Sequence, residues 1–411
     1  MAHAASDRYP TAKELAADLK KFQTGQLVGA HRYSARQLLR RWLLRHRTPV
    51  AVAGVALALL VVLGAVSLWR IVREQARTEE QRQTAEQRRG EAEDLMDFMM
   101  GDMREKLAPL DKLDLLHPVA KKAVQYYKAR PDTGSDDEQR KRSQALVNIG
   151  DVLSPLGDRK GALEQYRASL AIRKRLAAKD PTNDGSRHDV SVSHSRIGMT
   201  LRAQGDLAGA LEEFRATRGI VEKLAAKDPT NDTWQRDLSV TYEKVADVHL
   251  TQGDLPGALS EYEVARTIRQ RLAAKDLTSD EWQFALWVID NSVGDVRLEQ
   301  GDLARALEEY RAGLVIMEKL AAKDPADTRS QRRLALSYDR IGAVLLDQGD
   351  LSSALREYRA SLAICEKLAA LDPANTDWLS DLSFSYQQVG DVMLKQRDRV
   401  EALGKYRAAL A

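Results

Sequence analysis

The chain has 411 residues, more than one ordinary hydrophobic core organises, so we expect several structural units or a repeat array that grows by stacking. Its 63 basic and 60 acidic residues give a net charge of +3, which excludes the global basic field of a nucleic-acid-binding protein. Only 6% of the residues are aromatic and strand patterns are missing, so the composition predicts long helices. The single cysteine, Cys365, excludes an intramolecular disulfide framework and is expected to fill a core position.

Residues 1–26 contain one helix signal. Thr11 followed by Glu14 predicts a capping box before an amphipathic run that continues to Phe22. Residues 7–22 resemble the last helix of bacterial receptor-like serine/threonine protein kinases, where an Arg-Tyr-x-(Ser/Thr)-Ala element closes the catalytic domain shortly before a membrane span. The resemblance implies that Arg8 is the structural arginine of that family.

The motifs of phosphoryl transfer are missing from the sequence. It has no glycine-rich loop, no Val-Ala-Ile-Lys lysine and no Asp-Phe-Gly, and the segment His31, Arg32, Tyr33 lacks the aspartate of a catalytic loop. No histidines stand at metal-ligand spacing. We therefore expect a kinase remnant in a non-catalytic protein, with no catalytic residue, no metal and no cofactor.

A membrane span follows a basic linker at residues 27–47. Residues 48–69 contain no ionisable side chain, and about 20 such residues cross a bilayer core. Trp42 and Trp69 suit the two interfaces. We predict one retained transmembrane helix, in which Gly54 and Ala58 form a small-residue pair compatible with a homodimer through the span.

The orientation of this span does not follow from charge, because arginines are frequent on both sides. The kinase resemblance implies a cytoplasmic N-terminus, since a kinase meets ATP there. The region after Trp69 would then lie outside the cytoplasm of a bacterial cell.

Two segments separate the span from the repeats. Residues 70–104 are polar and helix-forming until Leu95, which predicts a projecting helix; a coiled coil is the alternative, although sustained apolar heptad positions are missing. Residues 105–137 predict two short capping helices, interrupted at Pro109 and Pro118, and a turn-rich linker that begins at Pro131.

A 48-residue period occupies residues 138–411. A Gly-Asp pair recurs from Gly157 to Gly349, and Arg397 with Asp398 keeps the phase. Each pair is preceded by a small residue seven positions earlier and followed by an alanine five positions later and an aromatic residue four positions after that. The aromatic residues are Tyr166, Phe214, Tyr262, Tyr310, Tyr358 and Tyr406.

This spacing predicts a helix hairpin in each period. The glycine ends a first helix, the aspartate caps a second one, and the aromatic ring fills the space beside the small residues. The arrangement resembles the tetratricopeptide repeat, although the period exceeds the usual 34 residues. The predicted fold is all-α: one transmembrane helix followed by a right-handed α-solenoid of six such hairpins, the last incomplete because the sequence stops at Ala411.

The resemblance to tetratricopeptide repeats also implies a concave groove lined by the first helices. Its candidate peptide-binding residues form an acidic and amide-bearing strip. They are Asp151, Glu243, Asp247, Asn291, Asp295, Asp339, Gln387 and Asp391. Such side chains suit the backbone and basic side chains of an extended peptide. The alternative is that they form a solvated face or pack locally within the repeat.

The predicted function is a membrane-anchored scaffold or sensor that binds a protein or peptide on the concave face, with no nucleic-acid partner. The second hypothesis is the regulatory half of a transmembrane serine/threonine kinase whose catalytic domain is missing from this chain. Sequence upstream of Met1 would separate the two.

Overall fold

The computed structural model describes residues 9, 11–26, 28–29, 34–110, 112–129 and 134–410, and all regular secondary structure in these ranges is helical. The chain divides into two compact units, Met1–Glu93 and Asp94–Ala411. The predictions made for Arg8, for His31 and Arg32, for the turn at Pro131 and for the end of the chain at Ala411 lie outside the described residues.

The first unit contains helices α1 (Ala12–Gln23), α2 (Ala35–Arg45) and most of α3 (Arg47–Met100). The Thr11 hydroxyl accepts a hydrogen bond from the Glu14 amide at 3.4 Å, which is the first of the two bonds of the predicted capping box. The complete box forms instead at α2, between Ser34 and Gln37. Sequence reasoning did not single out that second cap.

Helix α3 contains the predicted span. It runs for 54 residues, so one continuous helix includes residues 48–69 and most of the predicted projecting helix. Among the described residues, this is the one helix long and apolar enough to cross a membrane. Its most apolar window has a mean hydropathy of 2.7 and no buried residue.

The second unit begins with short helices. These are α4 (Asp102–Leu107), two 3-10 helices (Ala108–Leu110 and Leu113–Leu116) and α5 (His117–Lys128). Pro109 lies inside the first 3-10 helix. Pro118 lies in the first turn of α5 and so begins this helix, because a missing N–H costs nothing there.

Six helix pairs follow, and we call the first helix of each pair helix A and the second helix B. Each helix packs on the helices before and after it in the sequence, which gives a stack of hairpins. Helices A and B alternate as α6 (Asp136–Leu153), α7 (Arg159–Lys179), α8 (Asp184–Gln204), α9 (Leu207–Lys227), α10 (Asp232–Thr251), α11 (Leu255–Lys275), α12 (Asp280–Glu299), α13 (Leu303–Lys323), α14 (Thr328–Asp347), α15 (Leu351–Leu371), α16 (Thr376–Lys395) and α17 (Arg399–Leu410).

The turn between helices A and B confirms the predicted roles of its Gly-Asp pair. Gly205 adopts φ 86°, a left-handed conformation that ends α8, and Asp206 caps α9 by accepting from the Gly209 amide at 2.9 Å. Arg397 takes the same place in the last hairpin with φ 67°. The turn therefore repeats even where the glycine is replaced.

The aromatic residue of helix B packs against the small residue of helix A. A Cβ added to Gly150 would lie 2.5 Å from a ring carbon of Tyr166, so a side chain there requires the ring to move. Ala162, on helix B, is fully buried. The predicted packing of the aromatic ring beside the small residue is therefore confirmed.

Candidate binding surface on the A helices

The eight predicted groove residues all lie on A helices. They are distributed over α6, α10, α12, α14 and α16 at two positions of the repeat. One position directly follows the small residue of helix A, and the other precedes that residue by three. The contacts of the side chains differ between these positions.

The aspartates of the first position bind the tyrosine of their own hairpin. Each carboxylate accepts from a hydroxyl 15 residues later. The Tyr Oη to Asp Oδ1 distances are 2.8 Å for Asp151 with Tyr166, 2.7 Å for Asp247 with Tyr262, 2.6 Å for Asp295 with Tyr310 and 2.6 Å for Asp391 with Tyr406. In the second hairpin the positions hold Met199 and Phe214, so the carboxylate and the hydroxyl are lost together.

Three of these aspartates also bind basic residues of neighbouring hairpins or of α4. Asp151, with 8% of its side chain exposed, pairs with Arg104 at 3.2 Å and Arg196 at 3.1 Å. Asp247 pairs with Arg202 of the preceding hairpin, and Asp295 pairs with Arg340 of the following one. These carboxylates hold hairpins together, which corresponds to the local-packing alternative; their role in peptide binding stays a prediction.

The second position is more varied. The Glu243 carboxylate pairs with Arg269 and with Lys244, and the Asn291 amide is buried and donates to the Trp287 carbonyl oxygen at 2.7 Å. Gln387 is exposed. Asp339 is half-buried, and its buried Oδ1 has no hydrogen-bond partner among the described residues.

Glu243 and Asp339 occupy equivalent positions of the repeat, 96 residues apart. The pKa values of their carboxyls are nevertheless shifted in opposite directions from the ordinary values. Burial raises the pKa of the Glu243 carboxyl, but Arg269 and then Lys244 more than offset this, so its pKa lies below the ordinary value. Burial raises the pKa of the Asp339 carboxyl to about 6, which the nearby Ser361 hydroxyl offsets only in part. Asp339 is thus a desolvated carboxyl without the cation that its equivalent has.

Asp339 also lines a cavity of about 540 Å³ between α14, α15 and α16. Cys365 of α15 and Asp381 of α16 lie on its walls. Sequence reasoning treated Cys365 only as a core residue, and it is 3% exposed. Aligning the sequence at its own 48-residue period would have shown that Cys365 shares a position with the buried arginines Arg173 and Arg269.

The chemistry available on this surface is that of binding. Polar atoms open to a ligand belong to the exposed side chains of Gln387 and Asp391 and to the carboxyl of Asp339 beside its cavity. Among the described residues, no three His, Cys, Asp or Glu side chains gather in an arrangement that could hold a metal ion.

Comparisons with known proteins agree with the repeat geometry. Residues 143–181 and 334–372 match the family model of the tetratricopeptide repeat. A comparison with curated proteins found no match.

Solved structures share the fold at low sequence identity. The apo form of RapI is 15% identical with a TM-score of 0.52, and the alignment covers 77% of this chain and 75% of RapI. A signal transduction ATPase with a tetratricopeptide repeat sensor, from Pyrococcus horikoshii, is 12% identical with a TM-score of 0.51, over 72% of this chain and 40% of that one. Together with the helix pairs described above, these likenesses show that residues 136–410 have the fold of a tetratricopeptide-like α-solenoid, in which two stretches match the repeat model itself.

Proposed function

We propose that the chain is a membrane-anchored scaffold or sensor whose A helices bind a segment of another protein. The carrying observation is the row of A helices in one stack, since stacked helical repeats present extended binding surfaces. An exposed amide and a cavity with an unpaired carboxyl lie on the last two of these helices, α16 and α14 respectively. The proposed role is non-catalytic.

Affinity capture of partners by the full-length chain in detergent tests the binding role. Charge reversal of Asp247 and Asp295, two of the predicted groove residues, also breaks the bonds to Tyr262 and Tyr310 and therefore needs a melting curve beside it. Gln387→Lys changes an exposed side chain that makes no such bond.

We expect Gln387→Lys to reduce partner capture at unchanged melting temperature. The matched control is Lys367→Glu, an exposed position on helix B of the preceding hairpin, which should capture the same partners as the wild type. Equal capture of partners by the wild type and both variants would contradict binding on the A helices.

The membrane anchor rests on the apolar part of α3, whose side chains are exposed in the structure. A charged residue near the centre of a span costs about 2.5 to 3.5 kcal/mol in insertion. Leu59→Arg should therefore shift part of the protein into the alkaline-extractable fraction, whereas Leu115→Arg, an exposed change in the second unit, should not. Extraction of the wild-type chain by alkali would contradict the anchor.

Orientation is a separate part of the proposal. A tag after Ala411 should become accessible to protease once the outer barrier of the cell is opened, because the kinase resemblance implies a cytoplasmic N-terminus. Cleavage only after the inner membrane is breached would place the repeats in the cytoplasm.

The second candidate is the regulatory half of a serine/threonine kinase. It is supported by the resemblance of residues 7–22 to the end of a kinase domain and by the capped helix α1 in that segment. A reading frame that continues upstream of Met1 through a nucleotide loop and a catalytic aspartate would establish it. An upstream region without these motifs would leave the scaffold.

A further inference from the structure

One position of helix B lies between two successive A helices and recurs every 48 residues. It holds Arg173, Val221, Arg269, Met317 and Cys365 in the first five hairpins. All five side chains are buried. We call the contact between two successive hairpins a junction and number it after the first hairpin of the two. The side chain at this position therefore decides what fills the space at each junction.

At the third junction the space is filled by an arginine of the chain itself. Arg269 is 5% exposed, and its guanidinium pairs with the Glu243 carboxylate of its own hairpin. It also donates to the Ala285 carbonyl oxygen of the next A helix at 3.0 Å. This junction shows which acceptors a guanidinium uses in the repeat.

The first junction repeats the pattern. Arg173 donates to the Asp189 carbonyl oxygen at 2.9 Å, which is the equivalent of the Ala285 bond, and to the Ser193 hydroxyl at 3.1 Å. A third bond, of 2.8 Å, goes to the Gln144 side chain. Two arginines that are two repeats apart thus occupy the same polar site.

The second and fourth junctions lack both the arginine and the acid. Val221 leaves a cavity of about 200 Å³, where Ser195 stands at the acid position. Met317 is fully buried at the fourth junction, where the acid position holds Asn291. These two junctions therefore have neither an arginine at the helix B position nor an acid at the position of Glu243.

The fifth junction keeps the acceptors and lacks the arginine. Asp339 stands at the position of Glu243, Asp381 at that of Ala285, and Ser385 at that of Ser193, while Cys365 replaces the arginine. The cavity of about 540 Å³ lies here. The buried Oδ1 of Asp339 has no hydrogen-bond partner of good geometry among the described residues, and the nearby Ser361 hydroxyl offsets the effect of its burial only in part.

We propose that this cavity binds the guanidinium of an arginine side chain supplied by a protein partner, in the place that Arg269 occupies in the third hairpin. The inference rests on the proposed binding function and names the chemistry of the segment bound. Asp339 accepts the charged hydrogen bonds, and the replacement of arginine by Cys365 provides the space.

An anionic ligand fits the cavity less well, although arginines also line it. The Arg332 guanidinium is already paired with Asp381, with an Nε to Oδ2 distance of 2.5 Å. The Arg333 guanidinium lies 4.0 Å from the centroid of the Phe284 ring, on α12 of the preceding hairpin. Arg329, the third arginine of the lining, is exposed to solvent. Among the described residues at the cavity, the carboxyl of Asp339 is therefore the charged group that has a buried atom without a hydrogen-bond partner.

The test uses the full-length chain in detergent and three short peptides: acetyl-Ala-Arg-Ala-amide, its citrulline analogue, which is neutral and of similar shape, and its glutamate analogue. Saturation-transfer difference NMR reports weak binding on the peptide signals. We expect the citrulline and glutamate peptides to bind at least about tenfold more weakly than the arginine peptide, since the charge-assisted bonds are lost. Equal binding of citrulline, or preference for glutamate, overturns the proposal.

Two variants place the binding at the fifth junction. Asp339→Asn should weaken binding of the arginine peptide about tenfold or more. Ser195→Asn, which introduces an asparagine at the equivalent position of the second junction, should leave binding unchanged. Cys365→Arg should supply the guanidinium from within the chain and abolish peptide binding. If folded Asp339→Asn or folded Cys365→Arg binds the arginine peptide as well as the wild type does, the peptide does not bind at the fifth junction.

Melting curves give a second readout for the filled pocket. Cys365→Arg should keep or raise the melting temperature, because its acceptors are in place, whereas Val221→Arg should lower it. A fall of similar size in both variants contradicts the proposal.

The outcomes separate this inference from the proposed function. If Asp339→Asn still captures partners and the chain binds no arginine peptide, the scaffold function stands and the proposed arginine pocket is wrong. Arginine-peptide binding without specific capture of any protein removes the scaffold role instead.

Discussion

Asp339 and Glu243 show how one neighbour decides the state of a buried carboxyl. Both stand three residues before the small residue of helix A, and both are desolvated. Arg269 compensates the charge of Glu243, whereas Cys365 offers nothing comparable to Asp339. Removal of water without a partner cation disfavours the ionised form, so the pKa of Asp339 rises.

This predicts that Asp339 destabilises the folded chain at neutral pH. Its folded pKa of about 6 exceeds the ordinary 3.8, so ionisation costs folding free energy as pH rises from 3.8 to 6 and the cost stays constant above that. Asp339→Asn should therefore stabilise the protein at pH 7.5 by about 1 to 3 kcal/mol, because a tenfold change in acidity corresponds to roughly 1.4 kcal/mol. Denaturant unfolding at pH 7.5 and pH 3.5 measures this.

At pH 3.5 most of the stabilisation should disappear, because the carboxyl is protonated in the folded chain and mostly protonated in the unfolded chain. A less stable Asp339→Asn variant at pH 7.5 would show that Asp339 has a partner that stabilises its charge.

The same carboxyl predicts a pH dependence of arginine-peptide binding. The charged and titratable side chains around the cavity are Arg329, Arg332 and Arg333 on α14, Cys365 on α15 and Asp381 on α16. Because the peptide binds the ionised carboxyl, affinity should fall as pH falls through about 6, the pKa of Asp339. Peptide titrations at pH 5 and pH 7.5 measure this, and equal affinity at both values would exclude Asp339 as the acceptor.

At the scale of the element, the fit between helices A and B depends on one small residue. A Cβ on Gly294 would lie 2.6 Å from a ring carbon of Tyr310, but Ala246 already occupies the same place against Tyr262 in the preceding hairpin. A methyl group is thus accommodated by a small shift of the ring.

Gly294→Ala should therefore change the free energy of unfolding by less than about 1 kcal/mol, since the gain in helix propensity offsets the crowding. Gly294→Leu should cost about 3 kcal/mol, because the larger side chain has no space between the two helices. Unfolding curves of the two variants compare them directly. A mild effect of leucine would mean that the hairpin is packed more loosely than described.

Helix boundaries were predictable because they depend on neighbours in the sequence. Gly205 and Asp206 mark the turn between α8 and α9, as their residue types indicate. The sequence predicts an interruption at Pro118, whereas this residue begins α5, because proline is disfavoured inside a helix but not in its first turn. Local patterns alone do not separate these two positions.

Side-chain partners were less predictable because they lie far apart in the sequence. The eight candidate residues were placed on A helices correctly, yet four of them bind tyrosines 15 residues away. The bond between Asp295 and Arg340 depends on how one hairpin stacks on the next. Only the stacked structure distinguishes an ion-paired carboxylate such as Asp151 from an unpaired one such as Asp339.

At the scale of the whole molecule, the stack gives equivalent junctions different contents. The arginines at the first and third junctions bind one hairpin to the next from inside, while the fifth has acceptors and space. A short side chain at a position that elsewhere in the repeats holds a long one, such as Cys365 in place of an arginine, thus gives one junction a specific site. We therefore expect recognition near α14 and α16.

The central claim is that a protein segment binds the A helices of this array. Site-specific photo-crosslinking tests it most directly, with a photoreactive residue at Gln387 on α16 in one variant and at Lys367 on α15 in the other, both of which are exposed. We predict a discrete cross-linked protein from position 387 in cells and none from position 367. Cross-linking from position 367 alone, or the same products from both positions, would contradict the claim.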